Sequence, residues 1–96
     1  MMRETEIILA DIKEAEETLK RKTRTGVKYR TDLSRIELKT LELELVDKEC
    51  KTLAYELAFM PRNDSYFALL AQESILRIKR TNAKQKLLRA KAELYS

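Results

Sequence analysis

A chain of 96 residues with net charge +4, 44% of them apolar and 38% charged, is sized for one domain with a thin core. It contains no His, one Cys and one Gly. Those counts exclude a His general base, a Ser–His or Cys–His nucleophile pair, a thiolate zinc site, a Walker loop, a dinucleotide fingerprint and an intrachain disulfide.

The one glycine is Gly26 and the one proline is Pro61, where average usage would supply about 7 and 5. Helix interiors tolerate these two residues worst, by about 1 and 3 kcal/mol relative to Ala. Three stretches free of both, separated at two cuts, predict an all-α chain: an elongated three-helix antiparallel bundle with coiled-coil-like seams. The helices are expected at about 3–25, 32–60 and 64–95, within a single helical domain over 1–96.

In helix one, Ile8, Ile12, Ala15 and Leu19 recur at helical spacing and form a narrow apolar stripe. Acids dominate its first half and bases close it, the order the helix dipole favours. Gly26 stands where a positive-φ residue ends a helix, and Val27 to Thr31 reads as the connection.

Helix two is expected to start at Thr31 or Asp32, with Ser34 and Glu37 as a capping box for a later start. Ile36, Leu43, Val46, Cys50, Leu53, Leu57 and Met60 make one apolar stripe. Leu38, Leu41, Leu45 and Phe59 fall on the opposite side at 100° per residue. A helix apolar on two sides must be covered on two sides, so this is the middle helix. The run Leu41-Glu42-Leu43-Glu44-Leu45 alternates like a strand. Leu and Glu are helix formers, however, and no turn residues bracket it, so helix is expected. Cys50 is expected to pack as a small hydrophobe.

Pro61 ends helix two, and Arg62 to Ser65 supplies the turn, with Asp64 as the expected cap. Helix three begins apolar almost all round (Tyr66, Phe67, Leu69, Leu70, Ile75, Leu76, Ile78) and narrows to Leu76, Ala83, Leu87, Ala90 and Leu94. Short connections make consecutive helices antiparallel, with facing positions of helices two and three summing to about 125. Asp47 is then expected to face Ile78 and Lys79, Glu42 to face Ala83 and Lys84, and Glu37 to face Leu88 and Arg89.

No apolar run approaches the ~20 residues of a membrane span, and the acidic start does not read as a signal peptide. A cytoplasmic, non-enzymatic protein is expected, with no cofactor, no metal, no membrane and no small-molecule substrate. Its first functional reading is an interaction or adaptor protein with a protein partner or a second copy of itself. The candidate contact residues, where helix one leaves them uncovered, are Leu38, Leu41, Leu45, Tyr55 and Phe59, with Tyr66, Phe67 and Leu70 as a further patch.

The alternative reading rests on charge. Residues 20–30 hold six bases and residues 77–91 seven, with no acid in either segment. An up-down-up bundle brings the ends of helices one and three to one pole. Residues 20–45 and 84–96 together carry twelve bases and five acids, net +7, leaving the remainder at −3. Such a pole attracts phosphates, and an exposed aromatic within it can stack on a base. The candidate nucleic-acid contacts are Lys20, Arg21, Lys22, Arg24, Lys28, Tyr29 and Arg30 with Lys84, Lys86, Arg89 and Lys91.

Overall fold

The computed structural model describes residues 3–95 and contains three helices: α1 (Thr5–Thr25), α2 (Lys28–Ala58) and α3 (Asp64–Leu94). Residues 1, 2 and 96, which the expected domain also covers, lie outside the described residues. The two expected cuts are the two breaks. Gly26 caps α1 with φ 73°, in the left-handed region that a residue without Cβ enters freely, and its N–H donates to the Thr23 carbonyl. Phe59 closes α2 two residues before Pro61.

Two caps differ from expectation. The first break is only Gly26 and Val27, so α2 begins at Lys28 and Thr31 and Asp32 lie inside it. Their polar atoms serve packing instead. The Thr31 hydroxyl lies 3.1 Å from the Val27 carbonyl and 3.3 Å from the Lys22 carbonyl, and the buried Asp32 carboxylate receives Lys28 at 2.8 Å. At the second break Asn63, not Asp64, is the cap: its Oδ1 accepts from the Tyr66 N–H at 3.1 Å. Asp64 follows as the first-turn acid, where the helix dipole favours it.

α2 is the middle helix. It packs against both α1 and α3, while no Cα of α1 comes within 8 Å of α3 among the described residues. The molecule measures 54 × 26 × 21 Å, with a Cα radius of gyration of 16.5 Å. A compact chain of this length would have about 12.5 Å. The core is correspondingly thin. Ile8 is fully buried, and Ala15, Leu38, Cys50, Leu53 and Ala90 are the other buried apolar side chains among the described residues. Burial pushes the Cys50 thiol above its ordinary pKa, so it packs protonated, as a small hydrophobe does.

The α2–α3 register is the expected one to within about a turn. Asp47 Oδ1 lies 2.9 Å from Arg80 Nε, an ion pair whose N–H is off the hydrogen-bond axis. Arg35 lies 3.6 Å from Glu93, and Lys28 Nζ donates to the Glu93 carbonyl at 3.1 Å. Glu37 and Glu42 depart from expectation. Glu37 lines the groove between α1 and α2 with Asp11, Glu14, Ala15 and Thr18, because its azimuth on α2 is that of the α1 side. Glu42 pairs with Lys39 one turn back in its own helix, at 3.3 Å.

Ahead of α1, Arg3 forks onto Glu44 of α2, Nε and Nη2 each 2.7 Å from a carboxylate oxygen, and also reaches Asp11 at 2.5 Å. Glu44 is held below the usual carboxylate range by that hydrogen bond. The fork ties the start of α1 to the middle of α2.

Candidate interaction surfaces

The lengths of the helices decide which candidate contact residues are free. α1 has 21 residues and α2 has 31. Running antiparallel from the Gly26 turn, α1 reaches its first residue, Thr5, beside Lys48, Glu49 and Thr52. The apolar side chains on that face of α2 below this level are covered wholly or in part. Leu38 is buried, and Leu41 and Leu45 are half-buried, with Leu41 sharing a groove with Ala15 of α1. These three belong to the fold and do not offer contact surface. Tyr55 and Phe59 project past the end of α1 and are 70% and 76% exposed. Their rings lie 5.0 Å apart, a tilted pair one turn apart on α2.

α3 carries a second free apolar surface. Its α2-facing side holds the buried Glu73 and Ala90 and the half-buried Leu69, Leu76, Arg80, Ala83, Leu87 and Leu94. On the opposite side Phe67 and Ile78 are 60% and 62% exposed, with Leu70, Ile75 and Leu88 also exposed. Tyr66 is half-buried, edge-on to Phe67 at 5.4 Å, with the Arg62 guanidinium 6.0 Å over its ring. Of the Tyr66, Phe67 and Leu70 patch, Phe67 and Leu70 are therefore open. The sequence signal for the rest was present in the all-round apolar first half of α3. What it lacked was the knowledge that α1 packs on α2 and leaves the outer side of α3 uncovered.

The basic pole assembles in two parts. Lys20, Arg21, Lys22 and Arg24 end α1, and Lys28, Tyr29 and Arg30 begin α2. Arg21, Lys22 and Arg30 line one groove of about 230 Å³ with Thr18 and Thr25. Across α2, Lys86 and Arg89 of α3 join Arg35 and Lys39 of α2 around a second groove of about 450 Å³, with Ala90 and Glu93. Arg35 and Lys39 were absent from the candidate contacts, and the hairpin register is the signal that brings them in. Lys84 lines a third groove with Arg80 and Asp47, and Lys91 is exposed at the end of α3. Ten of the eleven candidates thus lie toward one end of the molecule, while Lys84 lies level with the middle of α2, and α2 separates the 20–24 bases from the 84–91 bases. Lys28 is occupied by Asp32 and the Glu93 carbonyl. Tyr29 is exposed beside Arg30.

No helix is long and apolar enough to cross a membrane among the described residues. No family model matches the chain, and neither the curated proteins nor the solved structures include a significant match to it.

Proposed function

We propose that this chain is a non-enzymatic helical interaction protein that works through protein–protein contacts at the apolar end of the α2–α3 hairpin. One observation carries the reading: the accessible surface is 7182 Å², where a compact monomer of 11.3 kDa exposes about 5700 Å². Large apolar side chains make up part of that excess, with Tyr55 and Phe59 on α2 and Phe67 and Ile78 on α3. Exposed apolar clusters of this kind mark contact surfaces in proteins that fold alone. The buried, free Cys50 fits the reducing cytoplasm as its setting.

The test is affinity capture on the immobilised full chain beside a Tyr55→Lys/Phe59→Lys double variant of equal helicity. A partner held by the native chain and lost by the variant supports the reading. Identical capture by both would overturn Tyr55 and Phe59 as the contact.

A second reading is favoured by the presence of the bases of residues 20–30 and 86–91 at one end, on two sides of α2, with Arg35 and Lys39 added between α2 and α3. In it the pole binds the phosphates of a nucleic acid with little sequence preference. Anisotropy of a fluorescent mixed-sequence oligonucleotide, titrated at low and near-physiological salt, should then show binding that falls steeply with salt. Reversing the charges of residues 20–30 should abolish it while leaving helicity intact. Binding that survives that reversal would remove the α1 end from the site.

A further inference from the structure

The outer face of α3 has a pattern that a solvated surface does not need. Phe67, Ala71, Ser74, Ile78, Thr81, Gln85 and Leu88 follow one another at alternating spacings of four and three. That is the spacing of a helix–helix seam. None of the seven is charged, in a chain that is 38% charged, and all seven are exposed. The seam lies about 160° around α3 from the side that packs on α2. Among the described residues no Cα of α1 lies within 8 Å of α3, and where Thr5 shares a groove with α3 it meets Gln72 and Leu76, which are not seam residues. The face is therefore patterned for a helix that this chain does not supply to itself.

Charge indicates which occupant fits and in which direction. The half of the molecule around the hairpin turn, residues 48–78, holds Lys48, Lys51, Arg62 and Arg77 against Glu49, Glu56, Asp64 and Glu73, a balance of zero. Two such ends can meet without net repulsion, unlike two +7 poles. Along the seam itself, the first half is flanked by Ala68, Leu70, Ile75 and Arg77, the last paired with Glu73 one turn back, and the second by Lys84, Arg89 and Lys91. Parallel pairing would lay the basic flanks of two copies against each other, and like charges there are destabilising. Antiparallel pairing over the first half alone sends the basic halves to opposite ends. Its centre would fall between Ala71 and Ser74, whose small side chains let two helices approach closely. The larger Phe67 and Ile78 sit one to two turns to either side.

We propose that two copies of this chain pair antiparallel along the outer face of α3, crossing between Ala71 and Ser74 so that Phe67 of each copy packs against Ile78 of the other. This rests on the protein-contact reading above and names a second copy as the occupant of one of its surfaces. Tyr55 and Phe59, on the α1 side of α2, stay outside the pairing and available to a different partner.

Sedimentation equilibrium of the full chain at tens of micromolar in moderate salt tests it. The native chain should run at twice its monomer mass. Ile78→Lys, with helical circular dichroism unchanged, should run as a monomer, its dissociation constant raised more than tenfold. Ile78→Leu and Tyr55→Lys should both remain dimeric. A native chain that is monomeric at that concentration overturns the pairing but leaves the Tyr55–Phe59 surface to the capture experiment. A dimer lost on Tyr55→Lys but kept on Ile78→Lys overturns it too. Orientation is read by mixing Phe67→Cys chains with Ile78→Cys chains under oxidising conditions. The mixed disulfide supports the antiparallel arrangement, and exclusive Phe67→Cys self-linkage refutes it.

Discussion

Among the described residues Ile8 is the one large side chain with no accessible surface, and it lies on α1, whose only other buried residue is Ala15. Replacing Ile8 with Ala removes three carbons from a sealed site. At about 0.8 kcal/mol per buried methylene, the transfer loss alone is about 2.4 kcal/mol. Any cavity that fails to collapse adds to it, and measured Ile→Ala losses run about 2–5 kcal/mol. Domains of this length have a total stability of about 5–14 kcal/mol. The substitution therefore removes a substantial fraction of the whole, equivalent to a fall of about 10–25 °C in Tm. The measurement is urea unfolding followed by circular dichroism, at one fixed protein concentration because self-association would add its own stabilisation. Ile7→Ala is the matched control: the neighbouring side chain is about half exposed, and its loss should stay within about 0.5 kcal/mol. Equal losses for the two variants, or a loss below about 0.5 kcal/mol for Ile8→Ala, would refute the reasoning that α1 is docked through Ile8.

Three further outcomes are expected. Gly26→Ala meets nothing within 4 Å, so it should cost only the strain of a Cβ at φ +73°, about 1–2 kcal/mol in the same unfolding assay. Asn63→Ala removes the side chain that accepts from the Tyr66 N–H and should cost about 1 kcal/mol, while Asn63→Asp, which can still accept, should cost far less. Cys50 should react slowly with a thiol reagent until the protein unfolds. Because burial raises its pKa in the folded state, the folded form favours the protonated thiol. Its contribution to stability is full below the ordinary value of 9.0 and is lost as pH rises from there through the folded pKa; unfolding midpoints measured at pH 8 and pH 10 check the sign, and Cys50→Ala should remove that component.

The two breaks were legible because Gly and Pro each have one strong physical consequence, and Gly26 and Pro61 stand alone in the chain. The middle position of α2 was legible from its two apolar sides. The start of α2 was not. Thr and Asp are cap formers, but the same hydroxyl and carboxylate can bond carbonyls or neighbouring bases inside a helix. Thr31 and Asp32 do the latter. Asn63 and Asp64 are likewise both good caps, and one residue of chain path decides between them. The Arg3 fork depends on how α1 lies against α2, which no local pattern encodes. Among the candidate contacts, Leu38 and Phe59 look equivalent by spacing. The ten-residue difference in length between α1 and α2 is what buries one and exposes the other.

Because α1 packs on α2, and among the described residues none of its Cα atoms lies within 8 Å of α3, the molecule has a hierarchy of opening. The α2–α3 hairpin keeps its mutual contacts when α1 departs, and α1, ten residues shorter than α2, is held by its packing on α2. Native-state hydrogen exchange should accordingly separate into two levels. The amides of α1 exchange through a low-energy partial unfolding, and the mid-helix amides of α2 and α3 only through the global one.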